Sequence, residues 1–280
     1  MHWLLSGPLK VEKITVKIAG LPKSLQDTRL VHLTDLHYDG LRLSEAMLAQ
    51  AIDISNDVKP DLVLLTGDYV TDDPSPIHQL VRRLKYLEAR TGVYAVLGNH
   101  DIYYQSSRTE ITNAFSSIDI NVLWNQIAYP LGKELALVGL ADYWSREFKP
   151  APVMNQLNDS IPRIVLSHNP DTAKVLQKWR VDLQLSGHTH GGQFVIPGKG
   201  PAIIYYKKFS RLLPRKIRCW LPFLRPECAK VVRYWEWSEG FHKVGKNQLY
   251  VNRGLGTFPP GRLFCPPELT IITLANGDGW

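Results

Sequence analysis

Helices layered on a largely parallel β-sheet, an α/β architecture, is the fold class that the sequence predicts. Short runs that are apolar at nearly every position alternate with helical patterns, as expected of strands covered on both faces. Asp, His and Asn residues follow several of these runs directly. The 280 residues are 44% hydrophobic and 21% charged, an ordinary globular composition with length for a sizeable core. Disorder, collagen and coiled coil are excluded on that composition.

Residues 11–18 read as an added edge strand, and 29–34 as the first strand of the alternating series. A helix over 43–58 follows, with Ser44 as candidate N-cap and Pro60 just beyond its end. Residues 62–66 form the next strand, 76–89 a helix opened by proline, and 93–97 the third strand. Further strands are expected at 135–140, 163–167 and 182–185, with closing strands at 249–252 and 269–274. No repeat or low-complexity linker interrupts the chain, so one domain over 1–280 is expected.

Cys219, Cys228 and Cys265 form no CxxC pair, and three is an odd number. Free thiols in a reducing compartment are the expectation. No window approaches the ~18 apolar residues of a spanning helix. Residues 1–9 are too short and too weakly basic for a signal peptide. A cytoplasmic location is therefore expected.

Lys and Arg number 33 against 26 Asp and Glu, a formal charge of +7. Nine cations and one acid fall in 201–233, so this segment is +8 and the remaining chain is −1. The basic character belongs to one insertion, and a local patch acts within about a Debye length.

Five strand ends deliver chemistry into loops. They carry Asp35 and His37; Gly67-Asp68; Gly98-Asn99-His100-Asp101; His168; and Gly187-His188-Thr189-His190. Ligands of open α/β sheets bind beyond the carboxyl ends of the strands, so distant residues should converge on one rim. Oxygen and imidazole donors without thiolate suit Mn, Fe or Zn. Asp35 and His37 are two apart on an extended segment, which points both side chains one way, and His188 and His190 share that spacing. The glycines before Asp68, Asn99 and His188 permit sharp, positive-φ turns. Seven candidate ligands are too many for one ion, but fill two sites if a carboxylate bridges them. Two ions ~3.5–4 Å apart can clamp the attacking and leaving oxygens of displacement at phosphorus.

These five blocks, in this order, resemble the calcineurin-like metallophosphoesterases from about residue 29 to 192. The resemblance implies a four-layer α/β/β/α sandwich with its metal site at the C-terminal rim of the strands. It implies that Asp35, His37 and His190 bind a first divalent ion. Asp68 would bridge, and Asn99, His168 and His188 would bind a second. A hydroxide bridging the metals would attack phosphorus, while His100 contacts the phosphate and protonates the leaving oxygen. Asp101 would orient His100 or, equally, cap the following helix. Gly191-Gly192-Gln193, Asn252-Arg253-Gly254-Leu255-Gly256 and Cys265-Pro266-Pro267-Glu268 are similar to a membrane-associated bacterial subgroup. That subgroup includes a UDP-diacylglucosamine pyrophosphohydrolase. Arg253 is a candidate phosphate contact or a salt-bridged arginine. Asp142 and Tyr143, after the strand at 135–140, are candidates for the rim.

Within the insertion, 202–213 reads as an amphipathic helix, with Lys207, Lys208 and Arg211 on its basic face. Trp220 follows in a stretch of mixed cations and apolar residues. This pattern fits peripheral contact with anionic lipid at the inner face of a membrane. A cap packed on the domain and a nucleic-acid contact are the alternatives, the latter disfavoured by the segment's short, apolar character. Two functions therefore compete. One is a binuclear hydrolase of a phosphodiester or pyrophosphate on a lipid-linked substrate, and the other a soluble nucleotide or nucleic-acid phosphodiesterase.

Overall fold

In each central strand, successive side chains enter two different cores. Leu30, Leu62 and Leu64 pack in one core, while Val31, Leu33, Val63 and Leu65 pack in another. A fully apolar strand can therefore be buried on both faces. The computed structural model describes residues 6–209 and 231–277, without the side chains of 206–209, and places these strands in two six-stranded sheets.

The first sheet runs β1 (Lys10–Ile18), β14 (Glu268–Asn276), β2 (Arg29–Leu33), β3 (Leu62–Leu65), β4 (Val93–Ala95) and β5 (Ile120–Val122). The second runs β12 (Gly240–Val244), β13 (Asn247–Val251), β9 (Leu183–Ser186), β8 (Arg163–Leu166), β7 (Ala136–Gly139) and β6 (Gln126–Ala128). Strands β2 to β5 are parallel, as are β7, β8, β9 and β13. Leu137, Ile164, Leu166, Leu183 and Leu185 of the second sheet share the inner core with Leu30, Leu62 and Leu64 of the first.

Helices complete the outer layers. Residues of α1 (Glu45–Asp57), α2 (Ile77–Leu84) and α3 (Ser107–Ser116) pack on the first sheet. Residues of α4 (Ala151–Met154) and α5 (Thr172–Leu176) pack on the second. This is the four-layer α/β/β/α order implied by the resemblance. Ser44 caps α1, its Oγ accepting from Met47 N at 3.2 Å. Helix α2 stops five residues before the expected end, because the chain tightens into a turn and returns Leu87 to the outer core. Asn56 holds that turn, donating to Tyr86 O at 2.7 Å and accepting from Glu88 N at 2.9 Å.

The expected edge strand is present as β1, but it runs parallel to the C-terminal strand β14, not beside β2. After β9, a small hairpin of β10 (Val195–Ile196) and β11 (Gly200–Pro201) leads into α6 (Ala202–Phe209). Arg211 and Trp220 lie outside the described residues, as do the side chains of Lys207 and Lys208. Among the described residues, no helix is long and apolar enough to cross a membrane.

The two sheets are in close contact at Gly139. A Cβ on Gly139 of β7 would lie 2.1 Å from Leu123 Cβ and 3.0 Å from Val96 Cγ1, both at the edge of the first sheet. Gly139→Ala is therefore expected to overpack this junction and destabilise by ~1–3 kcal/mol. Urea denaturation reads the change as a lower midpoint at unchanged slope.

Candidate metal centre

Each expected ligand follows the C-terminal end of a parallel strand, and the two packed sheets bring these ends together. Asp35, His37 and His190 form one group, and Asp68, His168 and His188 a second. Within each, the potential donor atoms lie within 4.8 Å of one another. In the first group, His37 Nε2 is 3.2 Å from His190 Nε2, which is 3.3 Å from Asp35 Oδ1. In the second, His168 Nε2 is 3.1 Å from both His188 Nδ1 and Asp68 Oδ2. Asp68 Oδ2 is also 3.6 Å from His37 Nε2 of the first group, which puts this carboxylate between the two.

The hydrogen bonds prepare these atoms as ligands. His168 Nδ1 lies 2.7 Å from Thr66 O, and His190 Nδ1 lies 3.1 Å from Gly256 O. A carbonyl can only accept, so both rings carry a proton on Nδ1 and turn Nε2 to the centre. His188 uses the opposite edge, with Nε2 donating to Val231 O at 3.1 Å and Nδ1 left for the centre. Asn99 Oδ1 is buried with no protein hydrogen-bond partner, although such atoms are ordinarily satisfied. Oxygen and imidazole donors, an orphaned amide oxygen and no cysteine in either group fit a pair of hard-to-borderline divalent cations.

Electrostatics give the same reading. Burial pushes His37 and His188 down to about 3 and His190 well below its ordinary value, so all three are neutral ligands at pH 7. Burial, with the Asp68 charge, pushes Asp35 up to about 6 and Asp101 up to about 7. At His168, burial acts downward, but Asp68 outweighs it and carries the imidazole up to about 10. Without a cation, the pocket thus retains protons where it has too much negative charge. A divalent ion would take their place.

The loop geometry differs from the extended segments expected for Asp35–His37 and His188–His190. Asp35 (φ 51°), His37 (43°), Asp68 (56°), His188 (71°) and His190 (51°) all have left-handed backbones. Their side chains converge through turns, not through the alternation of a strand. Such conformations cost energy for non-glycine residues and persist where surroundings over-determine them. Close approach is what two of the preceding glycines provide. A Cβ on Gly187 would sit 2.1 Å from Asp35 Oδ2, and one on Gly98 would sit 2.2 Å from Asp68 Oδ1. The removed Cβ lets His188 N donate to both Asp35 oxygens at 3.0 Å.

Three expectations need correction. Asp101 neither orients the His100 ring nor caps a helix. Its carboxylate accepts from the backbone N–H of Gly98 (2.8 Å), Asp68 (2.7 Å) and Tyr69 (2.8 Å), fixing the loop that bears the central carboxylate. The His100 ring is instead held by Thr71, whose carbonyl accepts from Nδ1. Arg253 is not directed at a phosphate, because its guanidinium is paired with Glu12 (2.9 Å), Glu239 (3.3 Å) and buried Glu268 (3.0 Å). Asp142 is 1% exposed and lies beneath the rim. Its Oδ1 accepts from Trp144 N at 2.8 Å, and so presents the Trp144 ring above it.

Two residues that the sequence reading missed complete the centre. Arg262 is half-buried and donates to the carbonyls of Gly256 (2.7 Å), Arg253 (2.8 Å) and His190 (3.2 Å), tying the closing loop to the ligand loop. Phe258 stacks edge-on against His37, with centroids 4.7 Å apart, and the Arg42 guanidinium covers it at 4.5 Å. A cleft of about 430 Å³ opens at the centre, lined by Asn99, His100 and His188 together with Trp144, Trp235 and Phe258. Phe194, Ile203 and Val231 extend its apolar lining.

Because Asp35 and His168 must lose protons to bind a cation, metal affinity is expected to rise with pH between ~5 and 8. Above pH 6 about one proton per protein should be released, from His168. Calorimetric titration of metal-free protein in buffers of different ionisation enthalpy measures both. Affinity that is flat across this range would contradict the assignment.

A family model for calcineurin-like phosphoesterases matches residues 28–192. A phosphodiesterase, YaeI, of Escherichia coli is 32% identical over 279 residues, covering 98% of this chain and 91% of the relative. A UDP-2,3-diacylglucosamine pyrophosphatase, LpxG, of Chlamydia muridarum is 28% identical, covering 97% and 92%. The metallophosphoesterase YkuE of Bacillus subtilis is 29% identical, covering 94% and 84%. One solved structure aligns with a TM-score of 0.51 at 10% identity, over 84% of this chain and 91% of that one, a likeness of fold alone. The chain therefore belongs to the calcineurin-like phosphoesterase family of metal-dependent phosphoric ester hydrolases.

Proposed function

We propose that this chain hydrolyses a phosphodiester or pyrophosphate bond in a lipid-linked substrate, at two divalent ions of the Mn, Fe or Zn type. The observation that carries the lipid assignment is the cleft, whose lining beside the ligands includes Trp144, Phe194, Ile203, Val231, Trp235 and Phe258. A base can stack on one of the rings, whereas an acyl or prenyl group also covers the aliphatic Ile203 and Val231. A diester or pyrophosphate assignment draws support from the names of two relatives, a phosphodiesterase and a diacylglucosamine pyrophosphatase.

The residues divide the work. Asp35, His37 and His190 would hold one ion and Asn99, His168 and His188 the other, with Asp68 between them. Ions held there supply Lewis acidity, lowering the pKa of a water and neutralising phosphate charge. Asp68 Oδ1 accepts from the His100 backbone N–H at 3.0 Å, while Oδ2 faces His37 and His168, so Asp68 would hold both ions from between the two groups. Burial acts to lower the His100 pKa, but Asp68, the Thr71 carbonyl, Asp101 and Asp72 outweigh it, so the net shift is upward. With Nδ1 committed to Thr71, Nε2 is the atom from which His100 donates to a phosphate oxygen and then protonates the leaving oxygen.

The experiment is hydrolysis of bis(p-nitrophenyl) phosphate, p-nitrophenyl phosphate, a dinucleotide and a UDP-linked diacyl lipid, after chelation and return of Mn. The lipid-linked pyrophosphate is the expected best substrate. Preference for the dinucleotide would favour the soluble phosphodiesterase instead. Asp68→Ala should lose more than the ~10–100-fold typical of groups that only orient ligands. His100→Asn should lose ~10²–10⁴-fold on a sugar-phosphate leaving group, and much less on p-nitrophenolate, which leaves without a proton.

A further inference from the structure

Strand β10 lies just beyond the cleft residue Phe194. Phe194, just before it, pairs with Leu263 as an isolated parallel bridge, with Val195 N donating to Leu263 O at 3.0 Å and Leu263 N to Gln193 O at 2.8 Å. The backbones at 194–196 and 263–265 therefore run side by side. From this pair, Ile196, Leu263 and Phe264 are 37%, 51% and 67% exposed, among few large apolar side chains so exposed in the described residues. Phe264 also has a left-handed backbone (φ 53°), an outlier for a bulky residue, and its neighbour Cys265 is buried. Exposed Lys199 sits at the tip of the same hairpin.

Charge and continuity identify what this surface meets. Strand β11 passes directly into α6, so the segment with nine cations and one acid over 201–233 begins at this edge. Phe194 before the hairpin and Ile203 after it both line the cleft. Apolar side chains at an edge that leads in sequence into a strongly basic segment, and next to an apolar cleft, match an interface of headgroup phosphates over acyl chains.

We infer that the edge formed by Ile196, Leu263 and Phe264 inserts into an anionic bilayer, seating the cleft mouth at the lipid surface. The surface rests on the lipid-linked reading of the cleft, and the two separate by experiment. Metal-loaded protein is sedimented with phosphatidylcholine vesicles with and without 30% phosphatidylglycerol, at low and high salt. The triple variant Ile196→Ser, Leu263→Ser, Phe264→Ser runs beside it. Wild-type protein should bind the anionic vesicles, weakened by salt, and the variant should bind on the order of tenfold less or weaker. Turnover of soluble bis(p-nitrophenyl) phosphate should be unchanged in the variant, which shows that it is folded.

Undiminished vesicle binding by the folded variant would overturn the insertion, and so would equal binding to neutral vesicles. A dimer of the wild type that the variant lacks, without vesicle binding, would assign the edge to a second copy and also overturn it. Hydrolysis of the lipid in detergent, with no vesicle binding, would remove the surface and leave the proposed activity standing.

Discussion

Carboxylates packed among imidazoles at the junction of two sheets impose the main constraint on this molecule. Asp35, Asp68 and Asp101 are almost wholly removed from solvent, and Asp35 and Asp101 each feel the charge of Asp68. Burying like charges together is unfavourable unless a cation or a proton compensates. The fold answers with backbone N–H groups aimed at Asp35 and Asp101, and with Asp68 Oδ2 set between the two groups of ligands. The left-handed turns at five of the ligands belong to the same arrangement. The left-handed backbones, not the alternation of an extended segment, turn the side chains inward.

The supports of the centre lie well outside it. Arg262 joins the loop after β13 to the carbonyl of His190, and Arg253 spends its charge on Glu12, Glu239 and Glu268. Tyr250 OH adds a bond of 2.5 Å to Glu268. Of these contacts the Arg253–Glu268 pair is the buried ionic one, and removal of Arg253 leaves the Glu268 carboxylate without compensation, commonly at a cost of ~3–5 kcal/mol. A rigid polar foundation of this kind lets the cleft above it combine an apolar and an ionic lining.

The alternation of apolar runs with helical patterns was enough to read the central strands and α1. The ligand set was legible because each member directly follows a strand, a relation between neighbours in the sequence. What was missed depends on distant partners. β5 and β6 are three residues each, too short to carry a period, and their pairing comes only from the assembled sheet. Arg262 and Phe258 lie in a loop without a periodic signal, and their roles come from His190 and His37, more than sixty residues away. Arg253 was open in the sequence to either a phosphate contact or a salt bridge, and the structure shows the salt bridge. An arginine beside glycines suggests an anion site, but its three acidic partners arrive from β1, β14 and the turn before β12. The reading of 201–233 as membrane-contacting lies mostly outside the described residues, and only its starting edge enters the structure.

The pairing of β1 with β14 joins segments far apart in the chain, with Lys10 opposite Glu268 and Ile18 opposite Asn276. During synthesis, β1 leaves the ribosome long before its neighbour in the sheet. Glu12, on β1, likewise has to wait for Arg253. The first strand therefore passes most of translation with an unsatisfied edge, in the period when sheet edges are most open to wrong partners. Its alternating charges Lys10, Glu12, Lys13 and Lys17 suit that interval, since a charged strand resists pairing with other nascent chains. The final closure of the sandwich and the completion of the Arg253 ion pairs are then one event, so a polypeptide stalled short of its last strand would emerge with an unfinished foundation beneath the metal ligands.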